Sequence, residues 1–120
     1  MAYQNGVGNT IEAYTTGLPP VKSLSAVSAT GGGTALDGIV ARSIQTLVVT
    51  TSSGVSAGSV QLQGSMDNVA WYSLGSAVTT SAASTTTAVT VTNSLARYVR
   101  ANVATGITGG TVTAWVAVAG

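Results

Sequence analysis

The chain has 120 residues, of which 83 are Ala, Gly, Ser, Thr or Val and only seven carry charge, for a net charge of +1. Without His or Cys it cannot build disulfides, zinc fingers, iron–sulfur clusters, His-based metal sites or catalysis that depends on Cys or His. Four scattered cations give no footprint for nucleic acid or an anionic membrane, and the length suits one compact domain.

Residues 1–20 differ from the rest. They contain three spaced anchors, Tyr3, Ile11 and Tyr14, and close on Leu18-Pro19-Pro20. Consecutive prolines favour extended geometry and break strand or helix continuity. The segment reads as an extended N-terminal arm that docks on a neighbour, with a loose tail as the alternative. It has neither the basic nor the apolar region of a secretory signal. The longest apolar run, Ala114 to Ala119, is far short of the ~20 residues a membrane helix needs. The expectation is a soluble product made in the cytoplasm.

From Val21 to the end of the chain the pattern is that of strands. A weak strand follows Val21, and Gly31-Gly32-Gly33 reads as a flexible break. Asp37-Gly38 signals a turn. Residues 44–51 form a clear strand, and residues 52–59 a Gly/Ser loop. Val60-Gln61-Leu62-Gln63 alternates, with Val60 and Leu62 inward and both Gln outward. An Asp67-Asn68 turn precedes a short strand over 70–74, and residues 75–84 read as a polar link. Residues 87–92 alternate again. Over 96–104, Val99, Ala101 and Val103 share one face; Tyr98, Arg100 and Asn102 share the other. Residues 106–110 read as a turn. In 111–119, Val112, Ala114, Val116 and Val118 share a face. The fold expected for residues 21–120 is all-β: an antiparallel β-sandwich of jelly-roll or discoidin-like type with seven or eight strands. Its core of Val and Ala is thin, so Trp71, Trp115, Tyr72 and Tyr98 are expected to supply bulk.

Chemistry is sparse. Thirty-three Ser and Thr hydroxyls have no His as base, and Lys22, the only Lys, follows the proline joint. Of the three acids only Asp37 and Asp67 fall in the strand region. Both sit in turns where Asp bonds its own backbone, and three acids are few for calcium. Neither catalysis nor any cofactor or metal is expected. Trp115 has the opposite parity to Val112, Ala114 and Val116, so it points outward. An outward Trp marks an interface, with a second core layer or a sugar-stacking platform as alternatives.

Two segments resemble known modules. Val60-Gln61-Leu62-Gln63-Gly64-Ser65-Met66-Asp67-Asn68-Val69-Ala70-Trp71 resembles a hairpin of discoidin-like β-sandwich modules. Ala96-Arg97-Tyr98-Val99-Arg100-Ala101 resembles the strand that follows it there. The same pair occurs in small structural proteins of tailed bacteriophages. In that hairpin Trp71 anchors the sheet, and Arg97 or Arg100 pairs with Asp67. The resemblance implies a non-enzymatic virion protein, a head decoration or minor capsid protein on the capsid surface. Its implied partners are the major capsid protein and further copies of itself, with a trimer as one arrangement. The alternative is a tail or fibre component whose sandwich binds host glycans.

Overall fold

The computed structural model describes residues 18–120. These form ten strands and no helix: β1 (Val21–Val27), β2 (Gly31–Gly32), β3 (Leu36–Arg42), β4 (Ile44–Thr51), β5 (Ala57–Ser65), β6 (Trp71–Ser73), β7 (Val78–Thr79), β8 (Thr86–Val91), β9 (Ala96–Thr108) and β10 (Val112–Ala119). They pair antiparallel in two sheets. One has the order β1-β10-β4-β8. The other has the order β2-β9-β5-β6, with β3 also on β9 and β7 also on β5. The expected all-β sandwich is thus present. The arm expected over residues 1–20 lies outside the described residues as far as residue 17.

Period-two alternation explains the core. Val60 and Leu62 of β5, Val99, Ala101 and Val103 of β9, and Leu47 and Val49 of β4 are buried, as are Val112, Ala114, Val116 and Val118 of β10. Each fully buried Val or Leu stabilises the fold by ~1.5–3 kcal/mol. Among the described residues no aromatic side chain belongs to this core, which corrects the expected role of Trp71, Trp115, Tyr72 and Tyr98. Register gives the reason. Trp71 and Tyr98 both lie opposite Ser65, which shares outward parity with Gln61 and Gln63. Trp115 lies opposite Lys22 and Val48 on the outer face of the other sheet. Tyr72 sits at the rim, where its hydroxyl donates to the Leu95 carbonyl at 2.6 Å.

Ten strands replace the expected seven or eight because two stretches read as irregular pair as strands of their own, while a third lengthens β9. Gly31 and Gly32 pair with Val103 and Asn102. A β-carbon at Gly32 would overlap the Arg100 guanidinium, and one at Gly33 would overlap the Ser23 carbonyl. These glycines permit close approach rather than flexibility. Within the expected link over 75–84, Val78 pairs with Val60 and is buried. The expected turn over 106–110 is shorter. β9 continues to Thr108, with Ile107 buried and its amide bonded to the Ser28 carbonyl at 2.8 Å.

The two sheets are also joined by a polar contact. Ser23 of β1 is buried. Its hydroxyl accepts the Ala101 amide of β9 at 2.8 Å and donates to the Thr34 carbonyl at 2.8 Å.

Candidate functional site

The outer face of the six-stranded sheet brings an arginine, a tryptophan and a row of amides together. Register sets the side chains in rows: Tyr98, Ser65 and Trp71; then Arg100, Gln63 and Ser73; then Asn102 and Gln61. Residues directly opposite in an antiparallel pair share a face and touch. Arg100 occupies the middle. Its Nε donates to Gln63 Oε1 at 2.9 Å, and its Cζ lies 4.1 Å from the Trp71 ring centroid. Gly32 leaves room for the guanidinium. Partial burial pulls the Arg100 pKa below the usual arginine value, and the group stays cationic.

Beside this centre, Arg97 and Asp37 form a two-point ion pair. Nε to Oδ1 is 3.0 Å and Nη2 to Oδ2 is 3.2 Å. The Arg97 hydrogen bonds hold the Asp37 carboxyl below the ordinary carboxylate range. Arg97 also lies 5.1 Å from the Tyr98 ring centroid. The face therefore combines aromatic rings covered by guanidinium groups with amides and hydroxyls. Gln61 is fixed by donating to the carbonyls of Leu62 and Leu74, at 2.9 and 3.0 Å.

Asp67 pairs with neither Arg97 nor Arg100, contrary to expectation. Its Oδ1 accepts the amides of Val69 and Ala70, both at 2.9 Å, and the Ser65 hydroxyl at 3.1 Å. Those bonds hold its carboxyl low and close the turn at Asn68, whose φ is 63°. A carboxylate occupied by amides two and three residues ahead is held in its own turn. Asp37 likewise accepts the Ile39 amide at 2.8 Å. Both Asp37 and Asp67 accept amides of their own turns, and among the described residues no cluster of three acids, His or Cys occurs.

Of the expected interface residues, Tyr3, Ile11 and Tyr14 lie outside the described residues. Trp115 is 39% exposed on the opposite face of the sandwich, with Lys22 Nζ 5.4 Å from its ring centroid. Around it are Val48, Ala88, Thr46, Thr50 and Thr113. The Arg100–Trp71–Gln63 cluster was not singled out from sequence. Its signal was the shared outward parity of Gln63 and Arg100, together with a hairpin register that puts Trp71 on their face.

No protein-family model and no curated protein sequence matches the chain. Its fold is similar to that of chitosan-binding module 1 from a chitosanase/glucanase of Paenibacillus sp. IK-5, solved as a selenomethionine-labelled mutant. The match has a TM-score of 0.50 and 18% identity, and covers 82% of this chain and 78% of that one. At this identity the likeness is one of fold.

Proposed function

We propose that this chain is a non-catalytic, glycan-binding β-sandwich, a tail or fibre component that presents the outer face of its six-stranded sheet to host carbohydrate. The observation that carries the reading is Arg100, stacked on Trp71 and tied to Gln63 within a row of amides and hydroxyls. Its remaining N–H groups are donors suited to sugar hydroxyls or a carboxylate. The fold likeness to a chitosan-binding module supports it. Chitosan is a polyamine, however, and this face presents two arginines against one acid that Arg97 already holds. Like charges oppose a polyamine here, so the ligand class is neutral or acidic glycans.

Calorimetric titration with neutral, uronic or sialic, and amino oligosaccharides tests the reading. Trp71→Ala and Arg100→Ala should each weaken binding about tenfold or more, whereas Trp115→Ala should not. Absence of binding to both the neutral and the acidic class at millimolar ligand refutes it, whatever the amino class does.

A second reading, attachment to a protein shell such as a phage capsid, is favoured by Trp115. It is a large exposed side chain on a face where Lys22 is the single charge among the paired residues of that row. Trp115→Ala should then weaken shell binding by ~2 kcal/mol with glycan binding intact.

A further inference from the structure

Most sheet edges among the described residues are guarded against pairing with another chain. β1 follows Pro19-Pro20, carries Lys22, and has two register shifts and a positive φ at Ala26. β3 has a register shift after Asp37 and a positive φ at Ile39. β2 and β7 have two residues each, and β6 has three. Short, charged, bulged or proline-flanked edges are the usual protections.

β8 has none of them. Its six residues, Thr-Thr-Ala-Val-Thr-Val, contain no charge, proline or glycine. They pair with β4 in unbroken register from Thr86↔Thr50 to Val91↔Gln45. The phase of the free edge is fixed next to it. The Thr51 amide donates to the Thr85 carbonyl at 2.9 Å, and the Thr85 amide turns back to Thr51 Oγ1 at 2.9 Å. Position 85 thus directs its backbone groups towards β4. By alternation so do 87, 89 and 91, while Thr86, Ala88 and Thr90 direct theirs away from the sheet.

We infer that β8 is a homodimer edge, pairing antiparallel with β8 of a second copy about a two-fold axis through Ala88. The strand is self-complementary in this register. Ala88 meets Ala88 of the second copy, and Thr86 meets its Thr90. Three outward-facing pairs then exchange about six backbone hydrogen bonds. Every residue keeps its face, because opposed positions have the same parity. Threonine opposite threonine is a favourable cross-strand pair. No charge on β8 or β4 opposes its symmetry mate. The contact is isologous and closes on itself. The outer row Lys22, Trp115, Val48 and Ala88 runs on into the second copy, giving one eight-stranded sheet. Its two Trp115 rings lie five strand spacings apart, about 24 Å. β8 belongs to the sheet opposite Arg100, so the inference stands apart from glycan binding.

Sedimentation velocity of the purified chain across micromolar to submillimolar concentrations tests it. The wild type should be a dimer. Ala88→Pro removes an outward amide that donates nothing to β4, a position where edge strands tolerate proline. It should give a monomer with an unchanged β-type circular dichroism spectrum. Ala88→Lys sets two ammonium groups together at the axis and should weaken dimerisation about tenfold or more. It stands as the second variant if the proline form does not fold. A wild type that stays monomeric at submillimolar concentration overturns the inference. So does a trimer, or a folded Ala88→Lys protein that dimerises like wild type.

Discussion

The Ser23 hydroxyl accepts the Ala101 amide across the sandwich at 2.8 Å. The amide is that of a fully buried residue in β9, and the hydroxyl belongs to a strand of the other sheet. Ser23→Ala leaves that amide without a partner in a dry interior. The expected cost is about 1–3 kcal/mol, read as a lower denaturant midpoint with an unchanged m-value.

The aliphatic core predicts a larger effect at Leu62, which is 1% exposed at the centre of β5. Leu62→Ala should destabilise by about 2–5 kcal/mol through lost burial and a residual cavity. Equilibrium denaturation measures it.

Two adjacent glycines should respond differently. At Gly32 an added β-carbon meets the far end of a flexible side chain, Arg100; at Gly33 it meets the Ser23 backbone. Gly32→Ala should therefore leave stability within about 0.5 kcal/mol but move the guanidinium off Trp71, shifting indole fluorescence and weakening glycan binding. Gly33→Ala should cost about 1–3 kcal/mol.

Stability in acid should follow the carboxylates. Asp37 and Asp67 are both held below the ordinary value of 3.8, the first mainly by Arg97 and the second by the Ala70 and Val69 amides. Unfolding in acid then takes up protons. The stabilisation is complete above the unfolded pKa and is lost as pH falls through the lower native values. With no His in the sequence, no side chain of ordinary pKa titrates between about pH 5 and 8. Tm should be flat there and fall below about pH 4. Asp37→Asn should flatten part of that acid limb, by a small amount because the ion pair is half solvated.

What the sequence disclosed follows from how local each signal is. Val60 and Leu62 against Gln61 and Gln63, and Val112 through Val118 against Trp115, declare their faces through neighbours two residues away. Parity therefore placed Trp115 outside and the valines inside. The Asp67-Asn68 turn was legible for the same reason. Arg97 meets Asp37 from 60 positions away, and Arg100 meets Gln63 from 37. Such partners depend on which strands become neighbours, and parity alone is silent on that. The same gap hid β2 and β7. Gly31-Gly32 and Val78-Thr79 have no alternation of their own and become strands only because β9 and β5 offer them an edge. Trp71 is bulky yet lies outside the core, because its register opposite Ser65 sets it on the polar face.

The place of β10 bears on how the chain acquires its structure. β10 lies between β1 and β4, so the four-stranded sheet lacks one of its two inner strands until β10 is made. On the ribosome, β1 through β9 can emerge while Leu47 and Val49 still have no Ala114 or Val116 to cover them. Pairing Val21 with Val116 closes a loop spanning nearly all the described residues, a costly entropic step that slows folding in β-rich topologies. Productive folding is then a late, concerted event following synthesis of β10, and chains ending before Val112 leave one edge of β4 without its partner.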